Sequence, residues 1–310
     1  MEPALFDRLT LAASVAALAG CSAGLASSES AAKIEDAQHS SDIVRFANEC
    51  EDWDDWDKPA KPFQIHAKTY YVGTCGIAAI LIEGEDGLVL IDTGTEPGSR
   101  QVEANIAALG HSVSDIDAIL TSHEHFDHVG GLARLQALSG ATVHTSAAAL
   151  PVLRTGKDDP RDPQAGLHPP MAPVGGTIRA LGDGEIVEIG GARIKALATP
   201  GHTLGAMSWE WESCDAAGCV TIVLADSLSA VSADGYKFNE HPEYVAMFRK
   251  GIARMAETTC DILLTPHPSA SDMIARAKTG TFEGGMTCSE YADSKTKALD
   301  ERLAKEAADE

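Results

Sequence analysis

The sequence predicts an α/β fold in which sheets pack on one another and helices cover them from outside. Two observations carry this. Strand-like runs broken by a few helices occur in two halves of the chain, and Ala118–Thr121 and Ile262–Leu264 are short apolar runs of the kind buried on both faces. The 310 residues are ample for one sizeable core, although no sequence repeat marks the two halves directly. An apolar share of 44% with 5% aromatics fits an ordinary globular chain, neither disordered nor membrane-spanning. The 46 Asp and Glu outnumber the 24 Lys and Arg, giving a formal charge of −22. No nucleic-acid partner is therefore expected, because binding a phosphate backbone requires cations.

The apolar run Leu9–Gly20 is too short to span a bilayer but suits a signal-peptide core. It ends in Leu18-Ala19-Gly20-Cys21, which resembles the lipobox of bacterial lipoproteins, where cleavage precedes a cysteine that carries lipid. Residues 1–20 are therefore expected to be a signal peptide. Residues 21–60 are expected to form a lipid-anchored tether and an acidic segment, with the main domain over 61–310. In that acidic segment Trp53 and Trp56 sit among Asp52, Asp54, Asp55 and Asp57, and the tryptophans are expected to pin it to the body.

Strands are expected at Thr69–Val72, Ile77–Glu83 and Leu88–Asp92, with a hairpin turn at Gly84-Glu85-Asp86-Gly87. A helix follows around Gln101–Leu109, then the strand Ala118–Thr121, a loop of ionisable residues, and a helix around Leu132–Leu138. Residues 155–184 are rich in Pro, Gly and Asp and read as a long irregular connection, usually a functional flank or lid. Strands resume at Glu185–Ile189, Ala192–Leu197, Ala206–Glu212, Val220–Leu224 and Ile262–Leu264. Helices are expected over Tyr244–Met255 and Tyr291–Ala307, the second charged and amphipathic.

Seven cysteines are present. With Cys21 assigned to the lipid, Cys50, Cys75, Cys214, Cys219, Cys260 and Cys288 remain, in a compartment that tolerates disulfides. Sequence alone does not choose the connectivity, and pairing of neighbours is the simplest choice: Cys50–Cys75, Cys214–Cys219 and Cys260–Cys288. A thiolate zinc site would need tight Cys-x-x-Cys spacing, which is absent.

The informative string is Thr121-Ser122-His123-Glu124-His125-Phe126-Asp127-His128-Val129-Gly130-Gly131, between a strand and a helix. Residues two apart in an extended segment point the same way, so His123 and His125 share a face. Asp127 and His128 fall where the chain turns into the helix and can form a second cluster. Gly130 and Gly131 remove side chains where that helix passes close to its neighbours. Imidazole and carboxylate together suit a zinc ion with hydrolytic work to do. His202, in Thr199-Pro200-Gly201-His202-Thr203, and His267, in Thr265-Pro266-His267-Pro268, occupy rigid turns at strand ends. His39, His66, His111, His144, His168 and His241 lack such settings and read as surface or core residues.

The set His123, His125, Asp127, His128, His202 and His267 resembles the metal-ligand set of the metallo-β-lactamase superfamily, and the resemblance runs from about Phe63 to the C-terminus. It implies an αββα four-layer sandwich of two mixed sheets flanked by helices. Asp92, in Leu90-Ile91-Asp92-Thr93-Gly94, matches an aspartate that would fix the tautomer of a ligand histidine. Subclass B3 enzymes are most similar. Leu224-Ala225-Asp226-Ser227-Leu228-Ser229 resembles their stretch with serines where other members place a metal-binding cysteine. The Cys288 and Tyr291-Ala292-Asp293 region, and paired Cys260 and Cys288, also look like B3.

What the resemblance implies is a dinuclear zinc β-lactam hydrolase acting through a metal-bound hydroxide on penicillins, cephalosporins or carbapenems. His123, His125 and His202 would hold the first Zn2+, and Asp127, His128 and His267 the second. Asp127 would also orient the nucleophile and move its proton, and Ser227 and Ser229 would hydrogen-bond the substrate carboxylate. The implied protein is a periplasmic, lipid-anchored monomer whose partner is a small molecule. Two alternatives stand beside it. One is another hydrolase of the same fold, a glyoxalase II-like thioesterase or a lactonase, in which Asp226 could itself be a ligand. The other is a non-catalytic zinc-binding lipoprotein.

Overall fold

The computed structural model describes Met1 and residues 38–308. The expected signal-peptide core, Cys21 and the first part of the tether lie outside these residues. By its contacts the chain divides into Met1–Gln38 and His39–Glu310. Among the described residues no helix is long and apolar enough to cross a membrane.

The second unit contains two sheets. Strands β1 (Phe63–His66), β2 (Thr69–Tyr71), β3 (Ile80–Glu83), β4 (Leu88–Ile91), β5 (Ile116–Leu120), β6 (Thr142–Ser146) and β7 (Ile178–Leu181) follow one another in chain order across one sheet. Pairing is antiparallel as far as β4 and parallel from β4 to β7. Strands β8 (Ile186–Ile189), β9 (Ala192–Ala198), β10 (Met207–Cys214), β11 (Cys219–Leu224) and β12 (Ile262–Leu264) form the other, in the order β12-β11-β10-β9-β8. Only β11 and β12 run parallel there. The Gly84–Gly87 turn joins β3 to β4, closed by a hydrogen bond from Gly84 N to Gly87 O of 3.0 Å.

Side-chain alternation assigns each strand residue to a layer. Ile80, Ile82, Val89 and Ile91 point between the sheets and meet Tyr71, Trp209 and Ile222. Their neighbours Leu81, Leu88 and Leu90 point outward, against α2 (Gly98–Ala108) and α4 (Leu132–Ser139), through Val102, Ile106, Leu132 and Leu135. On the second sheet Val223 and Leu263 face outward to α6 (Pro242–Ala256) and α8 (Cys288–Ala308), where Phe248, Ile252 and Tyr291 cover them. Helix–sheet–sheet–helix layering follows, as expected, because strands wedged between two layers must be apolar on both faces.

Three expectations change. Residues 39–49 are helical (α1), and Ile43, Phe46 and Cys50 are buried in the inter-sheet core. The compact unit therefore reaches back from the boundary drawn at 61 to His39. The irregular connection over 155–184 ends in β7, which pairs with β6. The tryptophans pin the acidic segment only in part: Trp53 and Trp56 are 71% and 40% exposed, with ring contacts to His267 and, for Trp56, His168. The Cys50–Cys75 disulfide, a hydrogen bond from Trp53 N to Ser269 Oγ of 2.7 Å and one from Thr74 Oγ1 to Trp56 O of 2.6 Å supply the rest of the hold. All three neighbour pairings of cysteine, Cys50–Cys75, Cys214–Cys219 and Cys260–Cys288, are formed.

Candidate metal centre

The histidines converge because strand ends from both sheets meet at one rim of the sandwich. β4 delivers Asp92, β5 delivers His123 to His128 through α3 (Phe126–Val129), β9 delivers His202, β11 delivers Asp226, and β12 delivers His267. The short helix α3 can press into place only because Gly130 and Gly131 follow it. A Cβ on Gly130 would lie 2.4 Å from Phe126 O, and one on Gly131 would lie 2.2 Å from Ser99 Cβ.

His123, His125 and His202 are all buried, and one ligating atom from each lies within 4.8 Å of the others. Asp127 Oδ2 lies 3.0 Å from His128 Nε2 and 3.1 Å from His267 Nε2, and those two nitrogens are 3.3 Å apart. The two clusters adjoin, with the His123 and His128 rings 4.2 Å apart between centroids. Ligating atoms of His123, Asp127 and His128 also lie within 4.8 Å of one another, so His123 borders both clusters.

Each ring of the first cluster commits one nitrogen outward and leaves the other facing inward. His123 Nδ1 donates to Asp226 Oδ1 at 2.8 Å, His125 Nε2 to Asp162 Oδ2 at 3.0 Å, and His202 Nδ1 to Ser229 O at 2.9 Å. His123 Nε2 is buried with no hydrogen-bond partner. An orphaned buried imidazole nitrogen aimed at two other imidazoles fits a metal ion, which needs neutral rings oriented from behind. Burial and the neighbouring histidines hold His123 and His202 well below the usual histidine range, in the ligating form. Burial opposes charge on Asp127 too, yet His128 and His267 outweigh it and keep its carboxyl well below the usual range. The second cluster thus offers a carboxylate. Cys50, Asp54 and Cys75 also lie close together, but both thiols are spent in a disulfide.

Asp92 stands behind His128, its Oδ2 3.6 Å from the buried and otherwise unpartnered Nδ1, and against burial it adds to Asp127 in favouring charge on that ring. Its oxygens accept from Ser122 N at 2.7 Å and Ser122 Oγ at 2.6 Å. It adopts a left-handed φ of 60°, a strained conformation for a buried aspartate. Its hydrogen bonds therefore order the start of the metal loop while it backs His128, and Asp226 and Asp162 are the carboxylates behind His123 and His125. Asp226 is not turned toward the metal clusters: its second oxygen accepts from Leu228 N at 3.3 Å. Replacing Asp226 by asparagine is expected to weaken metal binding about 10- to 100-fold, the usual cost of losing such a partner. Competition against a chromogenic chelator checks it, and unchanged affinity would deny Asp226 this role.

His168 corrects the expectation of a plain surface or core residue. Its ring lies 5.6 Å from that of His125, and it groups with His125 and Asp127. Asp162 and Gln164 reach the site from the same connection, Gln164 Nε2 lying 3.4 Å from His202 Nε2. The Pro/Gly/Asp-rich composition marked this segment as functional, but nothing in it marked these side chains. Trp53 and Trp56 also border the site, with ring centroids 6.1 and 6.4 Å from His267, and Trp56 lies 5.9 Å from His168. Glu124 is buried and pushed up to about 7, with Thr203 opposing that rise. It accepts from Thr203 Oγ1 at 2.7 Å and Gly205 N at 3.1 Å, tying the metal loop to the His202 turn. Ser227 is buried with its Oγ unpartnered, and Ser229 Oγ donates to Ser227 O at 3.0 Å.

A model of the metallo-beta-lactamase superfamily matches residues 72–217. Among solved structures, the metallo-beta-lactamase MIM-2 is 52% identical, with a TM-score of 0.79 over 85% of this chain and 98% of that one. MEM-A1, a subclass B3 metallo-beta-lactamase isolated from a soil metagenome library, is 40% identical, with a TM-score of 0.78 over 83% of this chain and all (100%) of that one. Among curated proteins, a hydroxyacylglutathione hydrolase of Pseudomonas paraeruginosa is 33% identical over 162 residues, 52% of this chain. The matched stretch spans 50% of that relative's length.

Proposed function

This chain belongs to the metallo-β-lactamase superfamily, and from that premise we propose that it is a subclass B3-like dinuclear zinc hydrolase opening the β-lactam ring of penicillins, cephalosporins or carbapenems. The observation that carries the reading is the pair of adjoining clusters, His123/His125/His202 and Asp127/His128/His267, built from nitrogen and oxygen alone. Two zinc ions bound there would supply Lewis-acid polarisation of the lactam carbonyl and a water acidified enough to attack at neutral pH.

The chain's own residues do the rest. Asp226, Asp162 and the Ser229 carbonyl fix the rings of His123, His125 and His202 from behind. Asp127, kept ionised at the junction of the clusters, accepts and passes on the proton of the attacking water. Ser227 and Ser229 are proposed to hydrogen-bond the substrate carboxylate, Ser227 Oγ being buried with no partner of its own. Trp53 and Trp56 offer apolar surface beside His267 for the substituent of the ring.

A hydroxyacylglutathione hydrolase is the second reading, favoured by the curated relatives. The orientation of Asp226 toward His123, leaving no carboxylate from β11 between the clusters, supports the first. The proposal extends to location and partners. The three disulfides support an oxidising compartment, in keeping with a periplasmic lipoprotein anchored through Cys21. The charge of −22 supports a small-molecule partner over nucleic acid, and the protein is proposed to act as a monomer.

Zinc-replete protein is expected to hydrolyse at least one of benzylpenicillin, a cephalosporin and a carbapenem, to lose this on chelation and to regain it with zinc. If all three drugs stay intact while a glutathione thioester is cleaved, the thioesterase reading replaces this one.

A further inference from the structure

Glu124 lies between two ligand candidates of the first cluster, His123 and His125, and is itself buried. Its carboxylate crosses to the turn between β9 and β10, where Oε2 accepts from Thr203 Oγ1 at 2.7 Å and Oε1 from Gly205 N at 3.1 Å. Thr203 directly follows His202, the remaining ligand candidate of that cluster. The Thr203 carbonyl accepts from Gly201 N at 2.9 Å, closing the turn around the histidine. The approach of the carboxylate is close enough to require a glycine. A Cβ on Gly205 would lie 2.6 Å from Glu124 Oε2 and 2.6 Å from Ala149 Cβ.

A carboxylate withdrawn from water is costly, and a buried one is often no better for stability than an apolar side chain of similar volume. What its two hydrogen bonds secure is placement. His125 and His202 come from different sheets, and their ring centroids lie 4.9 Å apart. Each ring is backed from elsewhere, His125 by Asp162 in the connection before β7 and His202 by the Ser229 carbonyl after β11. Those contacts fix how each ring is turned, but not how far apart the two carrying segments stand. A backbone bond from Met207 N to Ser122 O of 2.7 Å ties them ahead of His123. The Glu124 carboxylate ties them between His123 and His125, at the ligands themselves.

We infer that Glu124 is a positioning residue that clamps the His125 loop to the His202 turn and so sets the spread of the first metal cluster. This rests on the metal-binding part of the proposed function and not on the choice of substrate. In this role Glu124 touches neither metal nor substrate, and no proton transfer is assigned to it.

The test compares wild type, Glu124→Leu, Glu124→Gln and Thr203→Val. Zinc affinity is measured by competition against a chromogenic chelator, ligand geometry by the visible absorption of the cobalt(II)-loaded protein, and stability by the melting temperature of the metal-free protein. Glu124→Leu is expected to weaken zinc binding about 10- to 100-fold, the usual cost of losing a supporting partner, and to shift the cobalt absorption. Its metal-free melting temperature is expected to stay close to that of wild type, because an apolar side chain replaces a buried charge. Glutamine can accept from Gly205 N and donate to Thr203 Oγ1, so Glu124→Gln is expected to stay within about threefold of wild-type affinity. Thr203→Val removes one donor from the far side of the clamp and leaves the metal loop untouched. It is expected to weaken zinc about 10-fold with a similar cobalt shift, and it decides the matter if Glu124→Leu fails to fold. Wild-type affinity and an unchanged cobalt spectrum in Glu124→Leu and Thr203→Val overturn the inference and leave the metal centre standing. So does a loss of affinity that Glu124→Gln shares and that tracks a loss of metal-free stability, the mark of a general structural role. If wild type itself binds no zinc, the metal-centre reading falls and the inference with it.

Discussion

Asp127→Ala is expected to lower kcat for β-lactam hydrolysis by about 10³-fold or more, because several kcal/mol of metal-assisted stabilisation depend on one carboxylate. Its Oδ2 is the atom around which His128 Nε2 and His267 Nε2 are gathered, at 3.0 and 3.1 Å. Removing it leaves the buried His128 and the partly exposed His267 imidazoles facing each other without the group that draws them together, and leaves the proton of the attacking water without an acceptor. The variant is expected to bind about one metal equivalent fewer, and elemental analysis alongside stopped-flow rates checks both effects. A kcat within tenfold of wild type, with two metals retained, would show that Asp127 is neither ligand nor proton carrier.

Trp209→Ala should produce the largest loss of stability, roughly 3–5 kcal/mol, the range for deleting a buried aromatic from a core. Trp209 is fully buried on β10 between the sheets. Its Nε1 also donates to Thr121 O at 3.2 Å, at the start of the metal loop, so truncation opens a cavity and strips a hydrogen bond together. Trp53→Ala, by contrast, removes a side chain that is 71% exposed and is expected to stay within about 0.5 kcal/mol of wild type. Urea unfolding of both variants separates these expectations. Equal losses would mean that Trp209 is not the keystone of the inter-sheet contact.

The parts of the fold legible in the sequence are those whose signal is local. β4 and β12 are apolar throughout, and β3 and β5 are apolar but for Glu83 and Asp117, because layers cover both their faces. Helix α6 shows Phe248, Ile252 and Met255 at helical spacing. β6, with the sequence Thr-Val-His-Thr-Ser, hides because its burial comes from pairing between β5 and β7, which its own composition does not announce. β7 hides because it is a half-exposed edge strand at the end of a Pro- and Gly-rich stretch.

The site divides the same way. His123 to His128 are close in sequence, and His202 and His267 sit in rigid turns, so the ligand candidates could be picked out without coordinates. Asp162, Gln164 and His168 become neighbours of the metal clusters only through the path of an irregular segment, and no periodicity encodes that path. Asp226 was visible as a residue of interest. Whether it faces a metal or the back of a histidine depends on one side-chain rotation, which sequence does not carry.

The candidate ligands are shared between the two sheets: His123, His125, Asp127 and His128 follow β5 in one, while His202 and His267 follow β9 and β12 in the other. A cation gripped from both sides acts as a clasp on the sandwich as well as a reagent. Anything that binds the folded chain and not the unfolded one shifts the folding equilibrium by mass action, by about 2.7 kcal/mol at a hundredfold excess over Kd. Where cleavage is slower than reclosing, the population open to proteases falls in the same proportion. Metal starvation therefore strikes such a protein twice, first by silencing each molecule and then by shortening its life.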